Sequence, residues 1–257
     1  MIKIFHNIAL ICGLISLTSV ARATDGNFAL TSGLDYSSGK YGQSETTKIS
    51  YIPITGKYET EQWTFKLTIP WLEITGPSGV SGDSRIITNQ TGNQITTTSG
   101  LGDMVASASY SAFQLNAQKI YIDLNAKVKL PTASEAKGLG TGEYDYSFST
   151  DIYKIVNHLT WIGTIGYKKL GDPNGVNLSN VWFGTVGGVY KFNQQNSAGL
   201  TVDLREPTSK SSTHLSEYTL FYSHKFNDTY KLQTYLVTGD TQSSVDFGGG
   251  AMLSVSW

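Results

Sequence analysis

Thiol chemistry is all but missing from this chain: of 257 residues one is a cysteine, Cys12. It lies in an amino-terminal segment where Lys3 and His6 precede the apolar run Ile8 to Leu17, followed by the small-x-small triplet Ala21, Arg22, Ala23. That is the layout of a secretory signal cut after Ala23, so residues 1–23 are expected to be removed and 24–257 to form the folded protein. Ala9, Leu10 and Ile11 make a poor lipoprotein box, which leaves Cys12 as one more apolar residue of the signal. The expected mature chain then has no thiol, and neither a disulfide nor a cysteine-ligated metal is open to it.

Charge is scarce too. Only 15% of residues are Asp, Glu, Lys or Arg and the formal net charge is −1, so no nucleic-acid or polybasic-lipid partner is indicated. Proline is limited to 6 residues. After residue 23 no stretch approaches the roughly 20 apolar residues that a membrane-spanning helix needs. This excludes helices and says nothing of strands. A mean hydropathy of −0.17 suits a barrel in which half of every strand faces a wet interior. Glycine (27) and tyrosine (15) are what the chain has in quantity.

Alternation is what the sequence has instead of long apolar runs. Ile120, Ile122, Leu124, Ala126, Val128 and Leu130 are apolar, while Tyr121, Asp123, Asn125, Lys127 and Lys129 between them are mostly charged or amide. A period of two with this contrast means one dry face and one wet one. The carboxy-terminal segment repeats it: Phe247, Gly249, Ala251, Leu253, Val255 and Trp257 form one small or apolar face ending in an aromatic residue. This resembles the closing strand that outer-membrane barrels present to their insertion machinery. Leu253, Val255 and Trp257 are the candidate insertion signal.

The same pattern predicts about twelve strands, near 27–37, 45–58, 63–74, 101–112, 119–131, 143–154, 159–170, 181–192, 197–206, 216–226, 230–238 and 246–257. Most match the 9–11 residues a tilted strand needs to cross the hydrocarbon. The second is ambiguous, because Tyr51, Ile52, Pro53 and Ile54 do not choose a face. Short connections alternate with longer ones, as periplasmic turns alternate with external loops in such barrels. The longest, 75–100, is rich in Gly, Ser, Thr, Asn and Gln and is expected to be an exposed loop. Tyr58 and Trp63, Tyr110 and Phe113, Tyr153 and Trp161, Tyr190 and Phe192, and Phe226 and Tyr230 flank the short turns, where an aromatic girdle belongs.

Several blocks carry a family resemblance. They are Trp63 through Pro70, Trp71 and Leu72; Thr75, Gly76, Pro77; Gly100, Leu101, Gly102, Asp103; Leu130, Pro131, Thr132; Gly166, Tyr167; and Gly171, Asp172, Pro173. In this order and spacing, over roughly 45–192, they resemble the outer-membrane transporters named after the meta-pathway of phenol degradation. The resemblance implies a closed barrel and passage of small, often aromatic, compounds. It carries over no binding residue.

Catalytic and cofactor chemistry finds little support. His158 falls in a short turn, His214 in an outer loop beside Ser211 and Ser212, and His224 near the inner rim. None is spaced to pair with a nucleophile, and no G-x-S-x-G elbow is present. Gly138 to Gly142 is followed by a strand rather than a helix, so it is expected to be a loop tip and not a phosphate cradle. Asp172, Asn174 and Asn177 miss the calcium-loop spacing. No catalytic residue, metal site or cofactor is assigned.

Chemistry belongs on the inward face. Alternation directs Lys66, Asp123, Lys127, Lys129, Asp145, Asp151, Asp203, Arg205, Glu217, Lys225 and Lys231 to the lumen. With both signs mixed, neither strong anion nor strong cation selection is indicated. Two roles are open to them, cross-strand ion pairs that fill a narrow barrel or the lining of a polar constriction; twelve strands lie between the filled and the open cases. The expected protein is thus an all-β, closed antiparallel transmembrane barrel in a Gram-negative outer membrane. Its partners are lipid, the insertion machinery and a small solute. It serves passive passage, with a plugged structural or adhesive barrel as the alternative and an outer-membrane hydrolase a distant third.

The two faces of 120–130 should respond oppositely to charge. Leu124→Arg is expected to cost about 2–4 kcal/mol at the bilayer midplane, and Asn125→Arg much less. Folding titrations in detergent or lipid vesicles measure both. Equal costs would mean the faces are misassigned.

Overall fold

The computed structural model describes residues 26–77, 80–81, 86–87, 95–173, 175–210 and 212–257. The expected signal, 1–23, lies outside the described residues. Fifteen strands follow one another: β1 (Asn27–Gly39), β2 (Thr47–Glu59), β3 (Trp63–Pro77), β4 (Val80–Ser81), β5 (Ile86–Ile87), β6 (Ile95–Leu101), β7 (Met104–Leu115), β8 (Ile120–Leu130), β9 (Asp145–Val156), β10 (Leu159–Lys169), β11 (Val181–Lys191), β12 (Asn196–Arg205), β13 (Leu215–Lys225), β14 (Tyr230–Gly239) and β15 (Phe247–Ser256). The short β4 and β5 pair only with each other. β6 and β7 both pair with β3 and form one interrupted stave, so the wall is a closed antiparallel barrel of 12 strands.

Closure is made by β1 against β15, from Ala29 opposite Ser256 to Ser38 opposite Phe247. Beyond that ladder Phe28 and Trp257 exchange both backbone hydrogen bonds, at 3.1 and 3.0 Å. A ring is the only sheet in which no strand presents an unpaired edge to lipid. The predicted strands match the observed ones to within a few residues, except around the fourth stave. There β3 runs on to Pro77 and β6 begins at Ile95, so part of the expected loop at 75–100 extends the wall.

The interruption has a local cause. Pro70 has no amide proton to give the ladder, and its carbonyl accepts from Gly102 N at 2.9 Å, where β6 and β7 part. A Cβ on Gly102 would lie 2.7 Å from a methyl of Leu72 and 3.0 Å from Pro70 Cγ, so a side chain there would have to displace both. The next residue, Asp103, is thereby turned into the interior, where it is buried.

Outside, the wall is greasy. Leu30, Ile54, Leu67, Leu124, Ile165 and Leu220 are all exposed on it. Aromatic rings bound this band at both ends. At the short-turn rim Phe28 lies 4.7 Å from Tyr58, Trp63 4.8 Å from Tyr110, and Tyr190 5.2 Å from Phe192. At the long-loop rim Tyr167 lies 5.3 Å from Trp182. An apolar belt between two aromatic girdles is the surface of a barrel embedded in an outer membrane. One expected girdle residue is corrected: Tyr153 is buried and stands opposite Tyr121 and Ile162, because Ile152 beside it takes the outward position.

Inside, the barrel is filled rather than hollow throughout. Phe221 lies over Gly199, where a Cβ would come within 2.3 Å of the ring, and Phe183 over Gly166 at the same distance. Interior glycines thus make room for rings on a wall of small radius. β2 settles its own ambiguity: Ile52 and Ile54 face outward, while Ile49, Tyr51 and Pro53 are buried inside. Both faces of that strand are apolar.

Candidate solute path through the barrel

Ladder register carries side chains of one face around the wall in rows. One row runs Lys57, Lys66, Ser107, Lys127, Ser147, Lys168 across β2, β3, β7, β8, β9 and β10. Four residues away along β8 a second row runs Asp123, Asp151, Thr164, Thr185, Asp203, Glu217 across β8 to β13, leaving out no strand. Four directly opposed pairs are like-charged, Lys57 with Lys66, Asp123 with Asp151, Asp203 with Glu217, and Lys225 with Lys231, while Lys129 opposes Asp145.

Such pairs are destabilising when directly opposed unless other groups hold them. Two-residue alternation gives the face but not the neighbour, and register places like next to like. Hydrogen bonds help to hold the acids. Ser111 Oγ donates to Asp123 Oδ1 at 2.8 Å. Asp151 accepts from Asn125 Nδ2 and Thr164 Oγ1, both at 2.8 Å, and from the Tyr153 hydroxyl at 3.3 Å. Thr185 Oγ1 donates to Asp203 Oδ1 at 2.6 Å, and Glu217 Oε1 accepts from Val245 N at 3.0 Å.

Lys129 is different. Its Nζ lies 3.2 Å from Asp103 Oδ2 and 3.4 Å from Asp145 Oδ2, and Lys168 Nζ lies 3.2 Å from that same Asp145 oxygen. All four side chains are buried or nearly so. Arg205 stands between Phe183 and Leu215, and Lys231 opposite Lys225 and Ser254. Lys225 reaches to the rim, with Nζ 2.6 Å from Asp228 Oδ1 in the turn.

What sequence reasoning missed is the apolar part of the interior. Ile49, Tyr51, Leu72, Ile74, Tyr153, Ile162, Val189, Phe221, Tyr235, Val237 and Met252 form one buried cluster that draws on strands around most of the barrel. Tyr51, Phe221 and Met252 are no more than 2% exposed. Asp35 is set among them and accepts a short hydrogen bond from the Tyr235 hydroxyl. Its one sequence signal was β2, where Tyr51 to Ile54 would not choose a face because neither face is polar. Elsewhere the inner wall is polar and only half buried, at Thr64, Lys66, Ser107, Ser109, Asn125 and Lys127. The path therefore pairs a wall of hydroxyls, amides and amines, along β7, β8 and the first half of β3, with packed rings and aliphatic chains around the rest of the barrel.

The remaining candidates take structural places. His224 Nδ1 lies 2.7 Å from Asn196 Oδ1, with its ring 4.6 Å from Phe226. His158 in its turn lies with its ring tilted against Tyr190, centroids 6.1 Å apart, and Asp172 Oδ1 accepts from Leu178 N within one outer loop. Among the described residues no group of three or more His, Cys, Asp or Glu side chains is placed to hold a metal ion. The glycine run from Gly138 is not the loop tip: Ser134 to Lys137 are exposed, whereas Leu139, Gly140 and Thr141 turn inward and are buried.

No family model matches the chain, and no curated protein sequence does. Solved structures do. The chain is similar to the COG4313 outer membrane channel from Pseudomonas putida F1, with a TM-score of 0.70 over 92% of this chain and 97% of that one at 12% identity. It is also similar to the translocator domain of the autotransporter NalP from Neisseria meningitidis, with a TM-score of 0.51 over 99% and 97% of the two chains at 11% identity. At such identities the likeness is one of fold, a closed outer-membrane barrel.

Relieving one like-charged pair should not harm the barrel. Asp123→Asn keeps an acceptor for Ser111 and removes the charge facing Asp151. Stability in urea titrations is expected to rise by roughly 0.2–1 kcal/mol. A loss of that size or more would show that attraction of Asp123 to Lys66 outweighs its repulsion by Asp151.

Proposed function

We propose that this protein is an outer-membrane channel through which small solutes with an apolar, often aromatic, body diffuse passively. The observation that carries the proposal is the apolar cluster set across the lumen beside a hydroxyl-, amide- and lysine-bearing wall. A dry constriction disfavours bare ions by dewetting, whereas a solute with an apolar side loses little on entering it. The resemblance to the transporters named after the meta-pathway of phenol degradation agrees with such a solute, and so does the fold shared with an outer membrane channel. Lys66, Asp123, Lys127, Asp151, Asp203, Arg205, Glu217 and Lys231 are proposed to line the path, with Lys129 and Asp145 at its outer end and Lys225 at its rim. No group is assigned a catalytic role. Export is proposed to follow removal of residues 1–23, and insertion to use β15 with Leu253, Val255 and Trp257.

A second role is favoured by the tightness of the packing: a plugged barrel that serves structure or adhesion. Transport separates the two. Vesicles carrying the protein should swell in phenyl glucoside at least as fast as in the smaller glucose, with low ionic conductance. Phe221→Ala empties the centre of the cluster; although truncating a buried ring costs about 3–5 kcal/mol, the backbone ladder remains, and conductance should rise severalfold. Entry of neither solute, with no current in either protein, would leave the plugged barrel standing. Lys127→Glu is expected to assemble normally and to move the reversal potential toward cation preference. An unchanged potential would remove Lys127 from the path.

A further inference from the structure

The connection between β8 and β9 folds back into the barrel. A 3-10 turn at Glu135–Lys137 ends on Gly138, whose φ of +66° reverses the chain, and Leu139 N then bonds to Ser134 O at 3.1 Å. This delivers Leu139, 2% exposed, into the apolar cluster of the interior. Its seat is prepared: a Cβ on Gly100 would lie 2.8 Å from Leu139 Cδ1. Tyr41 and Val245 enter the same cluster from two other long-loop connections, so the outer end of the apolar path is closed by three inserted side chains.

Buried carboxylates also hold two neighbouring loops, Glu217 at Val245 N and Asp145 at Gly171 N, but the Leu139 loop is tied at two points to the Lys129 network. Lys129 Nζ donates to Thr141 Oγ1 at 2.8 Å while lying between Asp103 and Asp145. Asp103 Oδ1 also accepts from Ala133 N at 3.0 Å, and a Cβ on Gly140 would come within 2.8 Å of that same carboxylate. Both ends of the loop are thus gripped by one charged group of the wall, whereas the tip, Ser134 to Lys137, buries nothing. The block Gly100, Leu101, Gly102, Asp103, singled out in the sequence, gains a purpose here. Gly100 makes room for Leu139, Gly102 lets the stave break, and Asp103 supplies the carboxylate.

We infer that Thr132 to Glu143 is a plug over the outer end of the path, latched by Lys129, and that the seat of Leu139 is the outermost apolar subsite, taken by the apolar body of a solute when the loop swings out. A group in such a seat must be of about the size of a branched alkyl chain or a single ring. The loop adds one small apolar contact to a few polar ones, the makeup of a segment that opens locally while the wall stays folded. The transport part of this inference rests on the conduit proposed above. The latch does not.

Two measurements test them separately in a Cys12→Ser background, with folding monitored by heat-modifiable migration on gels. A membrane-impermeant maleimide should label Leu139→Cys about tenfold more slowly than Ser134→Cys, as expected of a site reached only by local opening. Adding Lys129→Gln should bring the two rates together and raise phenyl glucoside entry severalfold. Thr141→Val, which leaves every strand residue in place, should do the same more weakly. Equal labelling without either substitution would show that Leu139 is not seated and overturn the plug. Faster labelling with no gain in entry or current, while Phe221→Ala still raises current, would overturn the gate. If no variant passes solute or ions yet the labelling contrast holds, the conduit fails, and the loop's transport role with it, while the latch stands.

Discussion

Lipid offers a backbone amide no hydrogen-bond partner, and that constraint organises the molecule. Every strand must be paired on both sides, so the sheet closes where β1 meets β15 and Phe28 completes the seam with Trp257. Closure sets a small interior with alternating side chains, and it leaves the outward set free to be uniformly apolar. The aromatic rims follow, since rings with a polar edge are at home where hydrocarbon gives way to headgroups.

The interior is the less ordinary half. A barrel lumen is commonly polar, but here rings and aliphatic chains occupy one side, and interior glycines at Gly166 and Gly199 let two of the rings lie against the wall. Charged residues stand in rows above and beside them, one basic across β2 to β10 and one acidic across β8 to β13. Stability alone would have alternated them, since opposite charges across a ladder attract and like charges repel. Ser111, Asn125, Thr164 and Thr185 donate to the acids and make the arrangement tolerable.

Opposite charges meet, deeply buried, at the outer end of the barrel. Lys129, Asp103, Asp145 and Lys168 form a buried network. Removing one member of such a network strands the others in a poor solvent. The network therefore specifies geometry strongly, and what it specifies is the position of an outer loop and of a break in the wall. Pro70, Gly102 and Asp103 are adjacent in space although they belong to two sequence blocks separated by the longest loop.

The strand pattern, the short-turn and long-loop rhythm, and the outward face were legible from the chain alone. Each follows from local periodicity against a solvent of known kind: Leu124 and Asn125 are told apart by being one residue apart on a pleat. The face of Tyr51 was not legible, because period-two contrast vanishes when both sides are apolar. Nor was that of Tyr153, whose aromatic ring suits a membrane rim and a packed interior equally. The inward turn of Leu139 left no periodic mark at all. Only the closed register decided that Asp123 would face Asp151, that Lys129 would meet Asp103, and that a glycine-rich connection would return into the barrel. Those contacts depend on which strands become neighbours and at what offset, and alternation within a single strand carries no information about either.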